Sequence, residues 1–353
     1  MGETITPREL GLPEAIPMPT RTDWRIGIIG LGSISGAHIA AYQAAGWRIV
    51  AAADLIPERR ERAREQLPEA VLYDDYPDLI ADDAVEVISL LTHPTLREPV
   101  VAAAAKAGKP LLTEKPLGAA LPECERMVAL AAEANIPFAV SQNYRWNAAN
   151  FFARHVIEKG WIGSPFFASI EIHGTQDEQL ADNAFYSTCE DFLTVQWNTH
   201  LADLLRYWTG RDPRRVFCRT GRMDGQNFRS DNLLVSVVDF GEGLTGHILH
   251  SELLRSSMTA SPCRVDGDAG SVAFDLWGTE LRVQSRRLGE EPRTLDLAGI
   301  ELASSFTGPM ADLLLSIELG RECLVSARRN LASIRQVFAE DRSARAGGRW
   351  EPL

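Results

Sequence analysis

Two short stretches of this chain carry residues whose types and spacing suit chemistry. The first is Gly30-Leu31-Gly32-Ser33-Ile34-Ser35-Gly36, in which closely spaced glycines let the backbone turn tightly and approach a pyrophosphate. Amide groups at the start of a following helix would then meet the negative charge. Asp54 stands 24 residues after Gly30, at the spacing of a carboxylate that accepts hydrogen bonds from adenosine ribose hydroxyls. Its charge would repel a 2′-phosphate, which favours NAD over NADP. The second stretch is Glu114-Lys115-Pro116, an acid and a base directly after an apolar run, with a proline that restricts the backbone at the lysine.

The elements that must position these groups follow from hydrophobic periodicity. Apolar runs at 25–30, 48–53, 85–91, 111–113 and 137–141 suit strands buried on both faces, and helix-like stretches at about 34–45, 57–66, 96–107 and 121–134 lie between them. Alternating strand and helix predicts a doubly wound parallel sheet over residues 24–145, behind an N-terminal extension of residues 1–23. The Gly30 loop would open its first helix, and Lys115 would sit at the carboxyl edge of the sheet, where such folds bind ligands. Arg59 and Arg60, among Glu58, Glu61, Arg62, Arg64 and Glu65, read as a solvated, salt-paired helix face.

After residue 145 the rhythm changes. A helix-like stretch at 148–159 precedes β-rich runs at 166–173, 233–240, 244–251 and 272–276, with the turn Gly241-Glu242-Gly243 between two of them. These predict a second α/β domain over 146–353 with a large, mainly antiparallel sheet. One long helix is expected from about Asp191 to Thr209, and two more near 309–319 and 328–342.

Composition bounds the partners. The chain has 353 residues, 45% of them hydrophobic, and a net charge of −12, which disfavours nucleic acid and anionic lipid and leaves a small molecule as the expected partner. No secretory leader or membrane-length apolar run is recognisable, so a cytoplasmic protein is expected. The five cysteines are odd in number and lack any C-x-x-C, which suggests reduced packing residues and no metal site. His247 and His250, three apart in a strand-like run, should face opposite ways and share no ion.

Taken in order, Gly30-Leu-Gly32 with His38, the run 107–117 containing Glu114-Lys115-Pro116, Asn143-Tyr144-Arg145, and His200-Leu-Ala-Asp203 on to Gly210 make the chain resemble the glucose-fructose oxidoreductase and inositol dehydrogenase family. The resemblance spans roughly residues 24–210. It implies a Rossmann domain, a second domain with an open sheet used in homodimers or homotetramers, and NAD-dependent oxidation or reduction of sugars, inositols or sugar acids. It also implies cofactor contacts from Gly30, Gly32, Ser33, Ile34, Asp54, Thr92, His93, Glu114, Lys115 and Asn143, with Lys115 as the catalytic lysine and His200 as the histidine of the second domain.

One position departs from the family pattern. The carboxylate usually found four residues before the histidine is Gln196, which can hydrogen-bond a hydroxyl but cannot titrate. Four residues is one helical turn, so Gln196 and His200 are expected on one face. The glycines that often precede this motif are replaced by Cys189-Glu190-Asp191-Phe192, a sign of a reshaped pocket. Oxidising a secondary alcohol needs a group that takes the hydroxyl proton near neutrality. Either His200 or Lys115 could be that base, with the other stabilising the reacting oxygen, and Gln196 and Asn198 orienting hydroxyls. Arg145, Trp197, Tyr186, and with less weight Tyr144, Trp146 and His173, are candidate substrate contacts; Arg145 would meet the carboxylate of a sugar acid. NAD-recycling isomerase, epimerase or lyase chemistry, and a non-catalytic NAD sensor, are the competing readings.

Overall fold

The computed structural model describes residues 3–289, 291–300 and 302–353. They form two compact units. One comprises Ala15–Asn143 and Ala303–Leu331; the other comprises Met1–Glu14, Tyr144–Leu302 and Ala332–Leu353.

The first unit is a six-stranded parallel sheet in the spatial order Val71–Tyr73, Arg48–Ala53, Arg25–Ile29, Val87–Leu90, Leu111–Thr113, Phe138–Val140. Its central strands are apolar on both sides because helices cover both faces; Ile26, Ile28, Val87, Ile88, Leu111 and Leu112 are fully buried. The first strand in sequence lies in the middle, so the winding direction reverses between Arg25–Ile29 and Val87–Leu90. That reversal opens a crevice at the carboxyl ends of the strands, just where Gly30 follows. The edge strand Val71–Tyr73 and the short helix Tyr76–Ala81 escaped sequence reading. The strand is only three residues long and Val71 is half exposed, so neither carries a clear period.

The second unit is built on a ten-stranded mixed sheet. Its order is Glu3–Ile5, Arg293–Asp296, Glu280–Ser285, Gly270–Asp275, Pro262–Gly267, Pro165–His173, Leu244–Ser251, Leu233–Gly241, Arg215–Gly221, Glu351–Pro352. Most pairs are antiparallel, but the neighbours Pro165–His173 and Leu244–Ser251 run parallel, as do Glu3–Ile5 and Arg293–Asp296. Strict alternation along Leu233–Gly241 gives the sheet one buried face. Val195 and Ala202 pack there with Val337 from the Ala327–Arg345 helix.

A single break near residue 145 does not describe this division. The polar N-terminal stretch is no free extension, because Glu3–Ile5 adds a strand to the second unit's sheet. Conversely, the apolar helix Thr307–Leu319 returns to the first unit, and Val140 donates its amide to the Val325 carbonyl at 2.9 Å. The helix expected over 191–209 is also two structures: Phe192–Trp197 winds as a π-helix, and Asn198–Thr209 as an α-helix ending at left-handed Gly210. The Gln196 amide reaches back five residues to the Asp191 carbonyl at 3.2 Å, the spacing of a π turn.

Candidate functional site

In the first unit, Gly30 turns the chain at φ +98°, and a Cβ there would lie 3.0 Å from the backbone of Leu91 and Thr92. Only glycine fits that approach. Above Gly32 a Cβ would meet nothing within 4 Å, so the loop faces open space. Ser33 and Ile34 are exposed, and no side chain caps the helix Ser35–Ala44 that follows, which leaves its N-terminus to an anion. Ser35 instead donates its hydroxyl to the Gly32 carbonyl at 2.7 Å.

Asp54 ends the second strand and is buried. Its carboxylate accepts from the Leu31 amide at 2.7 Å and the Ile56 amide at 2.9 Å, and so fixes the glycine loop. The neighbouring arginines lie on a largely exposed, salt-paired helix face, as their charge pattern suggests, and three of them also reach the loop. Arg59 reaches the Asp54 carboxylate at 3.4 Å, Arg60 donates to the Asp54 carbonyl at 2.6 Å, and Arg62 to the Leu31 carbonyl at 3.2 Å. Helix Pro57–Gln66 turns these three toward the loop, while Arg64 pairs with Glu61.

Glu114 and Lys115 follow the strand Leu111–Thr113. Glu114 is buried; it binds His38 Nε2 at 2.9 Å, His38 Nδ1 binds the Tyr42 hydroxyl at 2.9 Å, and Tyr42 meets Ser89 at 3.0 Å. Burial would raise the Glu114 carboxyl, but the His38 hydrogen bond and the charges of His38, Lys115 and Arg97 outweigh it and hold the group below its ordinary range. The carboxylate thus belongs to an internal chain of hydrogen bonds, and its other oxygen accepts the Lys115 amide at 3.0 Å. Lys115 is held below the usual lysine range, chiefly by burial and also by the charge of Arg97, against Glu114. The peptide between Lys115 and Pro116 is cis.

Thr92 follows the carboxyl end of Val87–Leu90 and Asn143 that of Phe138–Val140, the two strands on either side of Leu111–Thr113. The Thr92 hydroxyl is buried without a hydrogen-bond partner, and the Asn143 side chain donates to Ser305 at 3.3 Å. An unpartnered buried hydroxyl beside the glycine approach fits a dinucleotide that supplies the missing contact. His93 is exposed; its ring bonds the Thr95 hydroxyl at 2.8 Å and caps the turn Pro94–Leu96.

In the second unit, His200 sits in the first turn of Asn198–Thr209, buried, with its ring stacked on Tyr144 at 3.9 Å and 10°. Trp197 approaches His200 edge-on at 6.0 Å and Tyr144 at 5.7 Å, and Trp277 meets Tyr144 at 4.8 Å. Beside these rings lies a cavity of about 390 Å³, lined by His173, Gln176, Trp197, Glu252, Asp275 and Trp277 among others, with no Lys or Arg among the described residues of its wall. Glu252 is buried; it binds His250 Nε2 at 2.8 Å and accepts the Gln176 amide at 3.1 Å. A side chain at Gly174 would collide with it at 2.0 Å. His247 lies on the other sheet face from His250, as their spacing predicts.

Three expected substrate contacts are engaged elsewhere. Arg145 forms a two-pronged, nearly buried ion pair with Asp203 at 2.6 and 2.7 Å, so its charge is already neutralised. Asn198 donates to buried Glu340 rather than lining the cavity. Tyr186 packs edge-on against Phe192 at 5.3 Å. Gln196 lies in the π-helical segment, with its side-chain amide 3.5 Å from the Asp191 carboxylate, so the one-turn spacing to His200 is not that of a regular helix. Sequence reasoning missed Trp277 and Glu252, which have no motif around them, and Arg97, which reads as an ordinary first-turn helix residue.

Comparison with known proteins bears on both units. Residues 24–142 match the GFO_IDH_MocA oxidoreductase family, NAD-binding Rossmann fold, and residues 152–273 match the GFO/IDH/MocA C-terminal domain. D-apiose dehydrogenase of Paraburkholderia graminis is 24% identical over 330 residues, covering 91% of this chain and 87% of its own. Inositol 2-dehydrogenase of Salmonella typhimurium is 30% identical over 220 residues, 56% of this chain and 63% of its own. An oxidoreductase from Agrobacterium radiobacter, solved with NAD+, L-tartaric acid and magnesium, superposes with a TM-score of 0.85 at 21% identity, over 94% of this chain and 98% of that one.

Proposed function

This chain belongs to the Gfo/Idh/MocA family of oxidoreductases, and from that premise we propose that it is an NAD-dependent dehydrogenase acting on a secondary hydroxyl of an uncharged sugar or polyol. A nicotinamide dinucleotide, when bound, would supply the hydride acceptor or donor. Gly30, Gly32 and the start of helix Ser35–Ala44 would hold its pyrophosphate and Asp54 its adenosine ribose, with Thr92 and Asn143 as candidates for its nicotinamide half. The Asp54 carboxylate favours NAD; Arg59, lying on it, is the residue that would meet a 2′-phosphate.

Lys115 meets the reacting hydroxyl and in its neutral form takes its proton, and His200 is the second unit's candidate for passing that proton on. Lys115 carries this reading: it is partly buried, depressed in basicity, and locked to Glu114 through its own amide. The uncharged substrate follows from Arg145, whose pairing with Asp203 occupies the cation that a sugar acid would need, and from a cavity lined, among the described residues, by carboxylates and rings and by no Lys or Arg. Rings such as Trp197 and Trp277 suit the apolar face of a sugar.

The test is NAD reduction with aldoses, inositols and aldonic acids, for wild type and Lys115→Ala. Turnover of neutral polyols, lost by about a thousandfold in the variant while NAD still raises Tm, is the expected result. Turnover confined to aldonic acids would overturn the uncharged substrate, and an unaffected variant would remove Lys115 from the reacting centre.

A further inference from the structure

We infer that Arg97 is a positioning residue for the hydride-transfer step, whose guanidinium ties the loop that carries Lys115 to the adjacent loop that carries Thr92. Its place in the fold is specific. Arg97 opens the helix Arg97–Ala107 and is 2% exposed. Its Nε and Nη2 donate to the Thr92 carbonyl at 3.1 and 2.8 Å, and its Nη1 donates to the carbonyls of both Glu114 and Pro116. The residues on either side of Lys115 are therefore held by one nitrogen of one side chain. Thr92 belongs to the loop after Val87–Leu90 and Lys115 to the loop after Leu111–Thr113, adjacent parallel strands, so the same fork sets the spacing between them. A planar guanidinium reaches three carbonyls in fixed directions; a lysine ammonium does not.

The arrangement is costly if stability were its only purpose. The guanidinium is buried among carbonyl dipoles, without a hydrogen bond to a carboxylate, and stands at a helix N-terminus, where the helix dipole disfavours a cation. Burial depresses it to about 10, which leaves it charged at neutral pH. The charged groups acting on Lys115 include Glu114, itself bound to His38 from helix Ser35–Ala44, and Arg97, which has Glu123 and Cys124 of helix Leu121–Glu133 nearby. Glu114 favours the ammonium of Lys115; burial and Arg97 oppose it. Arg97 thus places Lys115 and also enlarges the fraction of neutral amine that can accept a proton.

This inference rests on Lys115 acting at the reacting centre. Two substitutions separate geometry from charge. Arg97→Lys keeps a cation and loses the fork: kcat should fall on the order of a hundredfold, with KM for NAD changed by less than about threefold. Arg97→Met loses both, and the limb of the pH profile that rises as Lys115 deprotonates should move up by about one pH unit. The same displacement should appear without turnover, in the pH dependence of Lys115 acetylation by trace acetic anhydride, read by peptide mass spectrometry on the full chain. An unmoved Lys115 profile in a folded Arg97→Met protein overturns the charge role, and wild-type kcat in Arg97→Lys overturns the positioning role. If wild type turns over no polyol, the dehydrogenase reading fails instead, and the acetylation profile still decides whether Arg97 governs Lys115.

Discussion

Each unit buries one arginine beside its chemistry-bearing residue, and the two are held in opposite ways. Arg97 is bound by backbone carbonyls next to Lys115, so its charge remains to act on the lysine. Arg145 is bound by Asp203, two residues along the turn of the Asn198–Thr209 helix from Leu201, and its charge is cancelled where Tyr144 and His200 stack. A buried cation whose partners are dipoles keeps its whole charge to act on its surroundings. When its partner is an anion it becomes a fastening, and the chemistry nearby is left to rings and neutral hydrogen bonds.

Four outcomes would break or sharpen that contrast. The largest concerns His200, the imidazole that the aromatic cluster holds: His200→Ala should lower kcat by about a hundred to a thousandfold in steady-state kinetics while leaving NAD binding intact. A loss under threefold would put the proton on Lys115 alone. Next is the fastening itself. Asp203→Asn leaves Arg145 buried and uncompensated, and should cost about 3–5 kcal/mol in urea unfolding of the second unit; a cost below about 1 kcal/mol would mean that the pair is solvated.

Glu340 supplies a smaller, pH-dependent effect. It accepts hydrogen bonds from Asn198, Ser236 and Gln336, with no cation among these partners, and burial pushes its carboxyl up to about 7. Because this lies above the ordinary value of 4.5, folding favours the protonated form. That contribution is full below about pH 4.5 and is lost as pH rises through about 7. Glu340→Gln should therefore flatten the decline in Tm from pH 6 to 8, with a difference on the order of 1–3 kcal/mol. An identical decline in both proteins would assign it elsewhere. The smallest effect is on cofactor choice: Asp54→Ala should narrow the NAD-to-NADP ratio of kcat/KM by about tenfold, with Arg59 left to meet the phosphate. An unchanged ratio would show that the carboxylate serves only to hold the loop amides.

Much of the first unit is readable in one dimension. Five of the six strands and the four helices between residues 35 and 133 that exceed two turns fall within one or two residues of the expected stretches, because each buried parallel strand declares itself by continuous hydrophobicity. Gly30 and Asp54 are readable because dinucleotide binding is backbone chemistry confined to one strand-turn-helix-strand segment. Helix Thr307–Leu319 joins this unit from far along the chain, and no local pattern says so. The second unit resists for the same reason. Its cavity draws on residues 172–176, 179, 197, 252, 259–261, 275 and 277, brought together by strand pairing across the sheet.

By itself, then, the order of residues determined the Rossmann alternation, the glycine loop with its acidic follower, and the Lys115 element, all of them set by short-range backbone geometry and period. Tertiary structure decided what the charged side chains do. Arg145 pairs with a residue 58 positions away, Glu114 with one 76 away, and Arg97 with carbonyls 17 and 19 away, and each pairing changes what the group can offer a ligand. A charge's chemistry depends on its burial and on its nearest counter-charge or dipole, and both are properties of packing in three dimensions.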